Sequence, residues 1–149
     1  WNRMSEVREI IFYGKSGDGV HVVADRLAQK LIGQGFYVIS YPEYDPERRE
    51  TIAKVHVRVS RKPIHVRGPV TNPEIAVFLD VRLLRDGREA LGARKLIVNA
   101  PSRELVMKYA GNVSGEIVSI DVNELRRAGE DYVTRMADLI IEALLNGNT

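Results

Sequence analysis

Three glycines within six positions, in Gly14-Lys15-Ser16-Gly17-Asp18-Gly19, are the densest chemical signal in the sequence. Between a strand and a helix, such a loop lets backbone N–H groups approach an anion closely. The helix start adds partial positive charge, so phosphate or carboxylate binding is favoured. Lys15 supplies a cation and Ser16 a hydroxyl. Neither nucleotide motif matches in full. A P-loop would need glycine where Glu9 stands, and dinucleotide spacing fails because Val20, His21 and Val22 follow Gly19. The same glycines would also serve a tight strand-to-helix turn without a ligand.

Two further clusters carry charge. Lys54, His56 and Arg58 alternate along one segment, and His65 and Arg67 along the next, with Arg61 and Lys62 between them. If the two segments pair, these side chains share a face, where like charges repel. An acidic partner or a phosphorylated ligand would relieve that repulsion, as would plain solvation of an edge strand. Glu43, Asp45, Glu47 and Glu50 lie among Arg48 and Arg49 in a loop punctuated by Pro42 and Pro46. Paired carboxylates can do acid–base work or hold magnesium. This self-neutralising group reads more simply as a charged surface loop. His21, in the first turn of the helix after the glycine loop, is a lone imidazole. No serine has a nucleophile-elbow context, so no catalytic residue is assigned.

The elements that must position these residues follow an α/β rhythm. Arg8–Tyr13 reads as a strand, Val20–Gln34 as a helix with Val23, Leu27 and Leu31 on one stripe, and Phe36–Tyr41 as a second strand. In Thr51–Ser60, Ala53, Val55, Val57 and Val59 alternate with polar residues, and Ile64 and Val66 continue the alternation after Arg61-Lys62-Pro63. That pattern predicts a hairpin with one buried and one wet face. Ile75–Asp80 predicts a buried strand, followed by a helix through Leu83, Leu84 and Leu91. Lys95–Asn99 is a strand, Pro101–Ala110 a helix closed by Gly111, Glu116–Asp121 the last strand, and Asp131–Leu145 an amphipathic helix. The expected architecture is a single three-layer α/β/α domain with a mixed sheet that includes a hairpin in the middle of the sequence.

The 149 residues suit one domain, and 44% hydrophobic with 28% charged residues is an ordinary balance for a water-exposed protein. No apolar run approaches the roughly 20 residues of a membrane span. Trp1-Asn2-Arg3 ahead of Met4 reads as a vector remnant, leaving 4–149 as the domain and the cytoplasm as the expected location. With no cysteine, neither a disulfide nor a cysteine-held iron–sulfur cluster can form on these residues. Three histidines offer little for a metal site, and a net charge of +2 is no nucleic-acid footprint. Arginine outnumbers lysine and glutamine is scarce, a balance compatible with a thermophilic source.

Taken together, these pieces resemble the gamma subunit (gamma domain) family of pyruvate and other 2-oxoacid:ferredoxin oxidoreductases, from about Arg8 to Leu145. The family's G-x-G-G-Q-G loop is matched by Gly14–Gly19, with Ser16 in place of a glycine and Asp18 in place of the glutamine. Its Tyr-Gly-x-Glu-x-Arg-Gly-Gly segment is matched at Tyr44, Glu47 and Arg49, while Asp45, Glu50 and Thr51 replace glycines. Lys62-Pro63-Ile64 and Asn72-Pro73-Glu74 match its later turns, and its Asn-rich segment before the final helix has no counterpart. Each lost glycine removes close backbone approach. The resemblance implies a complex that decarboxylates a 2-oxoacid on thiamine diphosphate, passes electrons through iron–sulfur clusters to ferredoxin and transfers the acyl group to coenzyme A. It implies that this chain packs against larger thiamine-binding and ferredoxin-like subunits and helps shape the coenzyme A site. The candidate ligand residues are Gly14, Lys15, Ser16, Gly17, Asp18, Gly19, Tyr44, Glu47 and Arg49. Competing expectations are a stand-alone phosphate-ligand or nucleotide-binding module, and a structural or regulatory interaction protein. An isolated chain could also form a homodimer.

Overall fold

The computed structural model describes residues 7–15, 17–43, 52–65, 68 and 72–146. In chain order the elements are β1 (Arg8–Lys15), α1 (Val20–Gly33), β2 (Tyr37–Glu43), β3 (Ile52–Ser60), β4 (Ile75–Phe78), β5 (Lys95–Asn99), α2 (Arg103–Ala110), β6 (Glu116–Ile120), α3 (Val122–Arg127) and α4 (Tyr132–Asn146). Two 3-10 turns, Val81–Arg85 and Arg88–Ala90, connect β4 to β5.

The strands form one sheet in the order β2-β3-β1-β4-β5-β6. β1, β4, β5 and β6 run parallel, and β3 is antiparallel to both β1 and β2. The expected mixed α/β sheet is therefore present. α1 and α4 cover one face, burying Val23, Leu27, Leu31, Met136 and Ile140 with Phe12, Val57 and Val77. On the other face α2 and the 3-10 turns enclose Tyr13, Phe78, Leu84, Leu96 and Val106, with Tyr13 and Phe78 stacked 4.7 Å apart. Ile10 to Tyr13 are buried on both sides, which explains why that run is continuously apolar and does not alternate.

Three expectations need correction. β3 does not pair with Ile64 or His65, which are not strand; Val66 and Arg67 lie outside the described residues. Its neighbours are β2 and β1, so the antiparallel pair in the middle of the sequence is β2–β3. Flanked on both edges, β3 buries its polar row too, and His56 and Arg58 are each only 2% exposed. The face expected to be wet is closed. The helix expected through Leu91 is two short 3-10 turns, because the chain at Gly87 passes so near Phe78 and Tyr13 that a Cβ would sit 2.9 Å from either ring. Lastly, α3 was not foreseen, although Asp121 caps it by accepting a hydrogen bond from the Glu124 amide at 3.0 Å.

At the amino end of the parallel strands, Glu74 accepts hydrogen bonds from Arg8 and, at 2.7 Å, from Arg94. Arg94 also donates to the Ala143 carbonyl at 2.7 Å, tying the last turn of α4 to the sheet.

Candidate functional site

The crossover from β1 through α1 leads outward to β2, whereas β4 lies on the opposite side of β1. The connections leaving the carboxyl ends of the paired strands β1 and β4 therefore run to opposite sides, and in open α/β sheets ligands bind at such a switch point. The glycine loop sits there. It is shorter than expected, since β1 continues through Gly14 and Lys15, which pair with Ala53 and Ile52. The described part of the turn is Gly17-Asp18-Gly19, and Ser16 lies outside the described residues. Gly17 and Gly19 adopt φ of +92° and +79°, left-handed values that favour glycine. A Cβ on Gly19 would also stand 2.9 Å from the Tyr132 hydroxyl, so this position brings the start of α1 against the start of α4.

Asp18 changes the character of the loop. Its carboxylate accepts a hydrogen bond from the Lys15 amide at 2.7 Å, while its own amide donates to the Lys15 carbonyl at 2.9 Å. One backbone donor that an anion would use is thus occupied by the chain itself. α1 has no side-chain N-cap and no acidic residue in its first turn, and His21 is exposed there.

The facing wall comes from β4. The Leu79 amide donates to the Tyr13 carbonyl at 2.9 Å, holding the two strand ends together. Asp80 then accepts from the Arg82 amide at 2.9 Å and from the Arg82 guanidinium at 3.0 and 2.7 Å. These hydrogen bonds, against the opposing effect of burial and with help from the Lys15 charge, hold the Asp80 carboxyl below its ordinary range. Asn99, at the end of β5, donates to the Leu79 carbonyl at 3.1 Å and accepts from the Val122 amide at 3.0 Å. Asp80, Arg82 and Asn99 were missed in the sequence. The available signal was a polar residue ending each of two apolar strands, in Phe78-Leu79-Asp80 and Ile97-Val98-Asn99.

The basic row of β3 does something other than expected. Arg58 donates to Glu9 at 2.9 Å, to the Gly68 carbonyl at 2.8 Å and to the Tyr41 hydroxyl at 3.3 Å. Tyr41 also donates to the Gly68 carbonyl and stacks on His56, 5.0 Å between centroids. His56 lies 3.1 Å from Glu43, and burial outweighs that carboxylate to push the imidazole below its ordinary value. Lys54 bridges Glu43 at 3.5 Å and Glu89 at 3.2 Å, and Glu89 accepts from the Tyr13 hydroxyl at 2.6 Å. These cations are neutralised within the fold, so Lys54, His56 and Arg58 offer no open anion cradle. Glu43 belongs to β2 and to this network. Asp45, Glu50 and Thr51, together with the candidates Tyr44, Glu47 and Arg49, lie outside the described residues.

Among the described residues no three His, Asp or Glu side chains are grouped to hold a metal ion, and no helix is long and apolar enough to cross a membrane. A shallow cavity of about 420 Å³ lies away from the switch point, between β6, α3 and Arg135 of α4.

The family model for pyruvate ferredoxin/flavodoxin oxidoreductase matches residues 9–143. The common gamma subunit of the pyruvate/ketoisovalerate oxidoreductases of Thermococcus kodakarensis is 30% identical over 117 residues, covering 76% of this chain and 63% of that protein. The pyruvate synthase subunit PorC of Thermotoga maritima is 31% identical over 122 residues, covering 78% of this chain and 62% of that protein. The chain thus spans under two thirds of the length of these relatives. The crystal structure of the Thermotoga maritima pyruvate oxidoreductase subunit superposes with a TM-score of 0.65 at 25% identity, covering 85% of this chain and 69% of that one. The 2-oxoglutarate:ferredoxin oxidoreductase of Magnetococcus marinus, solved with 2-oxoglutarate, coenzyme A and succinyl-CoA, gives a TM-score of 0.62 at 13% identity, covering 85% of this chain and 22% of that one. This last likeness is one of fold alone.

Proposed function

The chain belongs to the pyruvate ferredoxin/flavodoxin oxidoreductase family, and from that premise we propose that it serves as the gamma-type component of a 2-oxoacid:ferredoxin oxidoreductase. In this reading a cytoplasmic complex oxidatively decarboxylates a 2-oxoacid to acyl-CoA and passes the electrons to ferredoxin. In this reading thiamine diphosphate is held by larger subunits, as are the iron–sulfur clusters, whose ligation by cysteine these 149 residues cannot supply. This component would supply packing surface and one wall of the coenzyme A site.

The observation that carries the proposal is the seat of Gly14, Lys15, Gly17, Asp18 and Gly19 at the switch point, opposite the Asp80–Arg82 clamp. The Lys15 charge acts on the Asp80 carboxyl, and Asp80 in turn orients Arg82. Ser16, Tyr44, Glu47 and Arg49 enter on their match to the family's motifs. Removing a charge-assisted hydrogen bond costs about 1.5–3 kcal/mol. Lys15→Ala and Arg49→Ala should therefore each raise the apparent KM for coenzyme A at least about tenfold in the reconstituted complex. Unchanged values for both would remove the ligand role.

The Asp18 carboxylate on the Lys15 amide favours a second reading, a component whose loop no longer meets a ligand and which acts in assembly alone. In that case both substitutions leave KM where it was while the complex still forms.

A further inference from the structure

On the side of the sheet away from α1 and α4, α2 and the 3-10 turns pack over β1, β4, β5 and β6. Among the described residues no helix lies over β2 and β3 on that side. There β3 is closed by its polar network, but β2 is not: Tyr37 is 50% and Ile39 38% exposed. β2 is also the outermost strand of the sheet. An outermost strand with free backbone groups is ordinarily guarded by charge, above all lysine. From Tyr37 to Tyr41 this strand carries no charged residue. Pro42 stands only near its end, and Glu43 is turned to His56 and Lys54. Aromatic and aliphatic side chains on an unguarded edge mark a surface that is covered in the working protein.

The border of the patch indicates what covers it. Tyr37 pairs with Ser60, so Arg61 and Lys62 emerge directly beside it. The Arg61 guanidinium lies over the Phe36 ring, 4.8 Å from its centroid, and Lys62 and His65 are exposed. Neither Arg61 nor Lys62 has a carboxylate partner among the described residues. A second copy of the chain is a poor fit. A two-fold contact joins the same patch to itself, which doubles these cations, and among the described residues of β2 the one carboxylate, Glu43, is already engaged with His56 and Lys54. An occupant with carboxylates of its own satisfies both the apolar centre and the basic border.

We propose that β2, with the basic border at Arg61 and Lys62, is the docking surface for a larger subunit of the complex, whose contacting surface is apolar at the centre and acidic at the rim. This inference rests on the gamma-type assignment. It is tested by titrating the full chain, fluorescently labelled, with the purified larger subunits. The variants are Ile39→Asp, the double reversal Arg61→Glu/Lys62→Glu, and Lys108→Glu on α2 at the other half of the sheet as a control. The double reversal should weaken binding about tenfold at low ionic strength, with the loss shrinking as salt screens the border. Ile39→Asp should weaken binding at every salt concentration, and Lys108→Glu should leave it unchanged. Circular-dichroism melting verifies that each variant is folded, and if Ile39→Asp is not, the double reversal decides alone. Equal binding by all variants overturns the docking surface while leaving the assignment in place. If the unaltered chain binds no larger subunit, both fail. An isolated chain that sediments as a dimer, and becomes a monomer with Ile39→Asp, makes a second copy the occupant and overturns the proposal.

Discussion

Arg58 and Glu74 are held by partners that lie far along the chain. The carboxylate that meets Arg58 is Glu9, forty-nine residues away, and the arginine that meets Glu74 is Arg8, sixty-six away. Nothing in local spacing distinguishes such buried cations from solvated ones, so the polar row of β3 read as open to water. Their burial has a pH consequence. Burial lowers the His56 pKa from 6.5, so the folded protein resists a proton that the unfolded chain accepts. For Glu74 burial acts upward, but hydrogen bonds from Arg8 and Arg94 prevail and lower its pKa from 4.5. Both groups contribute stability that is complete above the unfolded value and is lost as pH falls through the depressed folded value. The urea midpoint should accordingly begin to fall below pH 6.5 and fall again below 4.5. His56→Gln should flatten the first decline and leave the second, and a midpoint that still falls equally between those values would contradict the assignment.

Elements with a strict period were read correctly. β1, β5, α1 and α4 each present one uninterrupted apolar pattern, and their ends lie within one residue of expectation, except that β1 runs two residues further, to Lys15. What failed was pairing. Alternation in β3 says which side chains share a face, but it does not say which strands lie beside them, and two neighbours turned a half-wet strand into a closed one. α3 was missed although Asp121-Val122-Asn123-Glu124 has the spacing of a capping box, because six residues are too few for a period to show. Asn99 is the residue on which these elements meet: it joins the end of β4 to the start of α3 from the end of β5. Asn99→Ala leaves the Leu79 carbonyl and the Val122 amide without this partner and should cost about 2 kcal/mol in urea unfolding. Asn99→Asp keeps an acceptor for Val122 but cannot donate to Leu79, so its cost should be intermediate near neutral pH.

For the molecule as a whole, the three-layer α/β architecture and the family were within reach of the sequence, because motif order survives even where individual glycines are replaced. The candidate ligand edge could be read only as a location. That Asp18 satisfies the Lys15 amide and that Asp80 locks Arg82 are local contacts, three and two residues apart, but apolar periodicity does not say which side chain closes a turn. The strand order has a consequence for the history of each molecule. β1 and β2 are both complete by residue 43, yet they share no backbone hydrogen bond, because β3 occupies the lane between them. A chain emerging from the ribosome therefore cannot knit its first strands as they appear and must wait for Ser60 before that lane fills. A fragment ending at Glu43 should show no slowly exchanging strand amides, and protected ones in such a fragment would mean that the early strands pair in some other way. Until that lane fills, Ile10, Ile11 and Phe12 lack the neighbour that later shields them, and this early interval is when the nascent polypeptide most needs protection from its own kind.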